Sequence, residues 1–210
     1  HELLPGFTAY RSRLQVHTFD VTDLVREGPN AIGVLLSDGW WRGQHSSARR
    51  TNSYGRTTAL LAQLHVVLDS GETVSVGTDP SWRSTPSHIL AADLIGGEVH
   101  DLRRRVDGWC AAGCDRSAWQ PALLADHGFD ELCAPLGPPC VRVEELAAAG
   151  VREVAPGRHV ADFGRNSNGW VRVTDLGPAG TTLTLRYGET LDAGGDVNQS
   201  AISHADRWPD

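Results

Sequence analysis

Two stretches of this 210-residue chain carry residue types that can do chemistry. The first is Ser37-Asp38-Gly39-Trp40-Trp41-Arg42-Gly43. Adjacent indoles offer flat apolar faces that suit the apolar side of a pyranose ring, and Asp38 and Arg42 can take the hydroxyl groups beside it. The competing reading is that a tryptophan simply plugs a sandwich core. One of Trp40 and Trp41 is expected in the core, with the other free to reach a ligand surface. The second stretch holds Asp93, Glu98 and Asp101 around a glycine pair. Carboxylates on a loop or strand end can bond sugar hydroxyls or help to hold a calcium ion, and they can equally cap turns or pair with Arg103, Arg104 or Arg105. The candidate carbohydrate-binding residues are therefore Asp38, Trp40, Trp41, Asp93 and Glu98. No residue is assigned a catalytic role and no metal ligand set is defined. No cofactor is required, with calcium kept as an option.

Other familiar chemistries are missing. There is no His-Glu-x-x-His pair, no serine-centred nucleophile elbow and no phosphate-binding glycine loop. Asp192, Asp196 and Asn198 surround Gly194-Gly195 but do not follow a calcium-loop pattern, so a solvated turn is expected there. Trp82, Trp109, Trp119 and Trp170 read as packing residues. Cys110, Cys114, Cys133 and Cys140 fit no common zinc spacing; two disulfides or free thiols are both open.

The elements that must position these residues read as strands. Leu14–Phe19 suits a pleated surface, and Ala31–Leu36 is an apolar run of strand length, expected to be buried on both faces. Thr58–Leu68 and Thr73–Gly77 flank Asp69-Ser70-Gly71-Glu72, a hairpin turn. Asp20–Val25 reads as a short helical turn with Asp20 or Thr22 as its cap. Gly28-Pro29-Asn30 is turn chemistry. Beyond a proline-rich stretch, Gly157–Gly164, Trp170–Asp175 and Thr181–Tyr187 read as further strands, and Glu144–Ala149 as a helix. From Asp192 to Asp210 the chain turns polar and aperiodic. The expected fold is all-β: a jelly-roll β-sandwich over 1–121, a proline-rich linker over 122–139, and part of a second antiparallel β-sandwich over 140–210.

Composition narrows the function. The net charge of -7 argues against a nucleic-acid partner, which needs a basic face, and gives no attraction to an anionic membrane. No apolar run is long enough to span a bilayer, so a soluble protein is expected, cytoplasmic or secreted. The chain starts at His1 and has no methionine, so it is expected to be a piece of a longer reading frame.

An ordered series of blocks carries a resemblance. Pro5–Tyr10 (PGFTAY), Arg13–Val25 (RLQVHTFDVTDLV), Asn30–Gly43 (NAIGVLLSDGWWRG), Tyr54–Leu64 (YGRTTALLAQL), Thr78–Arg83 (TDPSWR) and Ala92–Arg103 (ADLIGGEVHDLR) resemble the N-terminal region of bacterial α-L-rhamnosidases, glycoside hydrolase family 78. Asp162–Val173 (DFGRNSNGWVRV) and Gly177–Val197 (GPAGTTLTLRYGETLDAGGDV) resemble the concanavalin-like domain that follows in those enzymes. Arg165 stands where the family usually has glutamine. The first strands of the family's jelly roll are expected to be missing, and its catalytic (α/α) barrel is expected to lie outside these residues. The resemblance implies that the intact protein hydrolyses terminal α-L-rhamnose with inversion, and that this chain is a non-catalytic portion. It would bind an L-rhamnose-containing glycan or act as scaffold for the barrel. The alternatives are a sugar-binding jelly roll of the β-galactosidase-like hydrolases, which shares the DVTDLVREGPNAIGV type of pattern, a small complete glycosidase using Asp93, Glu98 and Asp101, and a purely structural spacer.

Overall fold

The computed structural model describes residues 1–46, 48–128 and 131–200. Part of the polar stretch read from Asp192 to Asp210, from 201 onwards, lies outside the described residues. The chain is nearly all β and divides into two compact units, His1–Cys140 and Val141–Asp210. Among the described residues no helix is long and apolar enough to cross a membrane.

In the first unit, β1 (Leu14–Gln15) runs parallel to β8 (Leu132–Cys133), with Leu14 opposite Leu132. Leu14 N–H donates to Glu131 O at 2.7 Å, and Glu2 N–H donates to Cys140 O at 2.8 Å. The end of the proline-rich stretch is thus hydrogen-bonded back to the start of the chain. The longest hairpin joins β2 (Gln63–Val67) to β3 (Thr73–Gly77) in full antiparallel register. Its turn is the Asp-Ser-Gly-Glu run, with Gly71 at φ +83°, where a side chain would be strained. Further along, β4 (Arg83–Ser84) pairs with β7 (Gln120–Pro121), and β5 (Ile89–Asp93) pairs with β6 (Gly97–His100), both antiparallel. The expected turn at Thr22 forms as a 3-10 segment, Thr22–Leu24, with Val21 and not Asp20 or Thr22 at its N-cap position; Asp20 Oδ1 accepts from both Thr22 N–H (2.9 Å) and its hydroxyl (2.6 Å) as a local aspartate turn. Asn30 closes the Gly28 turn by bonding both N–H and C=O of Arg26.

The second unit is built on β9 (Gly150–Ala155) and β10 (Arg158–Asp162), joined by Pro156-Gly157. Val160 is its buried apolar centre, and β11 (Thr190–Leu191) pairs with β12 (Val197–Asn198). The Asp192–Asp196 loop between them is not merely solvated. The Arg152 guanidinium donates to Gly195 O, and Arg158 pairs with Asp196 at 2.8 Å, so both arginines of the hairpin hold the loop down.

Several expected elements differ. Leu14–Phe19 and Thr58–Leu68 shorten to two and five strand residues. Ala31–Leu36, Trp170–Asp175 and Thr181–Tyr187 join no ladder among the described residues. Alternation or apolarity tells which faces of an extended segment want cover; it does not supply a hydrogen-bonding partner. Glu144–Ala149 is not a helix: Ala149 N–H continues the β9–β10 ladder onto Asp162 O at 2.7 Å, while Glu144 and Glu145 pair with Arg165 and Arg172. Burial is correspondingly thin. Leu35, Leu36, Leu183 and Leu185 are all about half exposed, although they are the residues a sandwich core would use.

Candidate functional site

The tryptophan pair sits on α1 (Gly39–Arg42), a single turn. Asp38 precedes it, and its Oδ1 accepts from Arg42 Nε at 2.5 Å, an i,i+4 ion pair across the turn. Successive residues on a helical turn point about 100° apart, so the two indoles enter different surroundings. Trp41 is locked. Its Nε1–H donates to Thr57 O at 3.0 Å, its ring stacks on Tyr54 at 6.1 Å, and Gly55 lies so close that a Cβ there would fall 2.6 Å from Nε1. Trp40 meets Phe7 (5.3 Å) and the edge of His45 (5.5 Å), and His45 Nε2 donates to Trp40 O at 2.5 Å.

Tyr10 is the buried centre of this aromatic group. It is 4% exposed, contacts Tyr54, Trp41 and Phe7, and donates its hydroxyl proton to Gly6 O at 2.6 Å. Burial, helped by the neighbouring Tyr54, pushes its phenol up to about 12.

Asp93 is the buried carboxylate. It ends β5 and accepts three backbone hydrogen bonds. Two close its own turn, from Ile95 N–H (2.8 Å) and Gly96 N–H (2.6 Å) onto Oδ1. The third comes from Gln44 N–H at 2.7 Å onto Oδ2, 49 residues away in sequence and just past α1. Gly43 makes that approach feasible: a Cβ there would lie 2.7 Å from Asp93 Oδ2 and 2.3 Å from Gly39 O.

The other acids of the second stretch go elsewhere. Glu98 stands opposite Ala92 in the β5–β6 ladder and so shares its face, whereas Asp93 projects from the opposite face. Glu98 is exposed and reaches His100 Nε2 at 2.9 Å. Asp101 takes the Arg103 guanidinium at 2.8 and 2.9 Å, with Arg104 at 3.4 Å. The Arg103 hydrogen bonds, with both arginine charges, hold its carboxyl down to about 2. A calcium ion needs six to eight oxygens converging on one point. Asp93, Glu98 and Asp101 do not present such a set, and among the described residues no three of His, Cys, Asp and Glu are grouped to hold a metal.

Residues 1–145 match the family model described as the alpha-L-rhamnosidase N-terminal domain, and residues 152–208 match the bacterial alpha-L-rhamnosidase concanavalin-like domain. The chain belongs to the α-L-rhamnosidase family. It is 39% identical over 205 residues to an alpha-L-rhamnosidase of Streptomyces avermitilis, covering 97% of this chain and 20% of that protein. An alpha-L-rhamnosidase of an Alteromonas species is 30% identical over 194 residues, 91% of this chain and 21% of that protein. Among solved structures, the Streptomyces avermitilis enzyme complexed with L-rhamnose superposes with a TM-score of 0.83 at 35% identity, covering 93% of this chain and 19% of that one. The Aspergillus terreus enzyme superposes with a TM-score of 0.79 at 31% identity, covering 93% and 23%. The chain therefore spans about one fifth of the length of the rhamnosidases it matches.

Within this rhamnosidase chain, the structure gathers Asp38, Trp40, Trp41 and Asp93 around α1 and leaves Glu98 apart. Neither tryptophan is fully buried; both are intermediate. Phe7, Tyr10, His45 and Tyr54 complete the aromatic group without having been singled out from the sequence. Phe7, Tyr10 and Tyr54 had a signal only as members of the blocks Pro5–Tyr10 and Tyr54–Leu64, and His45 had none, since no periodicity links residues so far apart. Of the other tryptophans, Trp82 bonds Gly77 O and Trp109 lies against Gly33, but Trp170 is 59% exposed and is no packing residue among the described contacts.

Two outcomes follow from this geometry. Gly43→Ala should lower the stability of the first unit by about 2 kcal/mol, because the new methyl displaces a buried carboxylate and a backbone carbonyl; thermal unfolding followed by circular dichroism measures it. Tyr10 favours its neutral form in the folded state, so its contribution is complete below the ordinary tyrosine value near 10. It is lost as pH rises towards about 12. Ultraviolet difference titration should show one of the three tyrosines ionising last, and Tyr10→Phe should remove that final step.

Proposed function

We infer that this chain is a non-catalytic β-sandwich portion of an α-L-rhamnosidase, and that the enzyme as a whole hydrolyses terminal α-L-rhamnose from glycosides or polysaccharides. The chemistry would be carried by a catalytic barrel elsewhere in the same polypeptide, against which these sandwiches pack. The observation that carries this reading is the engagement of every acid in the candidate site. Asp93 holds three amides, Asp38 holds Arg42, Glu98 meets His100, and Asp101 is held by two arginines. Glycoside hydrolysis needs two carboxyl groups facing each other across the bond, about 5 to 9.5 Å apart, one of them with a raised pKa. Asp93 and Glu98 stand on opposite faces of one ladder, and Asp101 is held in its charged form. The wide apolar surface supports the docking role, since Leu35, Leu36, Leu183 and Leu185 are each about half exposed and need cover.

A second reading, sugar binding, is supported by one observation: Phe7 is 56% exposed and rests against Trp40, so the pair offers a partly open aromatic platform. Asp38 lies beside it, while Trp41 and Asp93 would hold it in place and Glu98 would contribute only from a separate face. Calcium would have to be supplied with oxygens other than those of Asp93.

Titration calorimetry of the folded chain with L-rhamnose, with calcium and then with chelator, separates the readings, alongside an assay with an aryl α-L-rhamnoside. The scaffold reading predicts no turnover and no saturable heat. Saturable heat abolished by Trp40→Ala would establish the binding role. Turnover abolished by Glu98→Gln would overturn the non-catalytic reading.

A further inference from the structure

The turns that lead into β4 and β7 are built alike. In each, an aspartate Oδ1 accepts the backbone N–H of a serine two residues on: Ser81 onto Asp79 at 2.7 Å and Ser117 onto Asp115 at 2.9 Å. In each, a tryptophan backbone N–H closes the turn, Trp82 onto Asp79 O and Trp119 onto Arg116 O. Because β4 and β7 are hydrogen-bonded to each other, the two turns come together around an open polar concavity of about 460 Å³. It is lined by Ser81, Arg83, Cys114, Asp115, Arg116 and Ser117.

The two arginines of this concavity are not engaged. Arg42, Arg103, Arg158 and Arg165 are each claimed by a carboxylate, but the guanidinium groups of Arg83 and Arg116 have neither a hydrogen bond nor an ion pair among the described residues. The Ser81 and Ser117 hydroxyls are held instead by the turn carboxylates of Asp79 and Asp115. The lining therefore sets two cations against the one carboxylate of Asp115, within a chain whose net charge is -7. A guanidinium presents a rigid fork of N–H donors that matches the paired oxygens of a carboxylate, sulfate or phosphate.

We propose that this concavity is a binding site for a single oxyanion group, held by the Arg83 and Arg116 guanidiniums. The site is independent of the rhamnosidase reading and shares no residue with the aromatic group around α1. Its ligand is either a free tetrahedral anion or an acidic group carried on a sugar, such as a uronate.

The test is an NMR titration of the full chain at low ionic strength, with sodium sulfate and separately with sodium glucuronate, against sodium chloride at matched ionic strength. The proposal predicts saturable shifts at the Arg83 and Arg116 Nε–H and the Ser117 amide. Arg83→Gln and Arg116→Gln should each weaken binding roughly tenfold, the loss expected for a charge-assisted hydrogen bond. Arg83→Lys, which keeps the charge but not the fork, should fall between. Saturation by glucuronate assigns the site to oxyanions on sugars, and saturation by sulfate alone assigns it to the free tetrahedral ion; both support it. Absence of saturation by either anion overturns it. So does saturation that survives in an Arg83→Gln, Arg116→Gln double variant whose thermal unfolding is unchanged.

Discussion

A charged carboxylate removed from water must be surrounded by hydrogen-bond donors, and at Asp93 that requirement organises the first unit. Three backbone amides satisfy it, and one of them, Gln44 N–H, comes from the far side of α1. Hydrogen bonds to an ionised group contribute on the order of 1.5–3 kcal/mol each, and they offset a desolvation penalty of several kcal/mol for the ion. The net gain is modest, but the geometry is demanding. The chain must arrive at Gln44 without a side chain at position 43, and α1 must end there. Those conditions fix where Trp40 and Trp41 leave the backbone, and through them where Phe7, Tyr10 and Tyr54 can gather.

The same chemistry recurs in weaker form along the chain. Asp20, Asp79, Asp115, Asp162, Asp175 and Asp192 each accept a backbone N–H two residues ahead, the local turn that aspartate makes readily. Thr22 lowers the carboxyl of Asp20, Ser81 that of Asp79 and Ser117 that of Asp115 in the same way. The acidic surplus of the sequence therefore serves to turn a β-rich chain. That is why acids near glycines, which suggest ligand chemistry when read one at a time, are already engaged with the backbone in the fold. The concavity between β4 and β7 inverts the pattern: there the aspartates are drawn onto serine amides and two arginines are left with free donors.

What was legible in the sequence is what is local. The Asp69–Glu72 turn between β2 and β3, the short helical turn after Asp20 and the all-β class follow from spacing and residue type within a few positions. The family follows from an ordered series of short blocks. Pairings between distant segments were not legible. Nothing near Leu14 announces Leu132 as its partner, and nothing in Thr181–Tyr187 tells which strand, if any, lies beside it. The candidate site divides along the same line. The Ser37–Gly43 stretch was visible from its tryptophans, whereas the union of Gln44 with Asp93 depends on a contact across 49 residues. Glu98 was grouped with Asp93 by proximity in sequence, and only the ladder register shows that a pleated strand sends them to opposite faces.

The role of Asp93 is tested most directly by amide hydrogen exchange of the intact chain at Gln44, Ile95 and Gly96, compared with the same three amides in Asp93→Ala. If the carboxylate links the two segments, all three amides are protected in the unsubstituted chain. All three then lose protection together in the variant, while the β2–β3 hairpin keeps its own. Gln44 exchanging freely in the unsubstituted chain, with Ile95 and Gly96 still protected, would contradict the account and reduce Asp93 to the cap of a local turn.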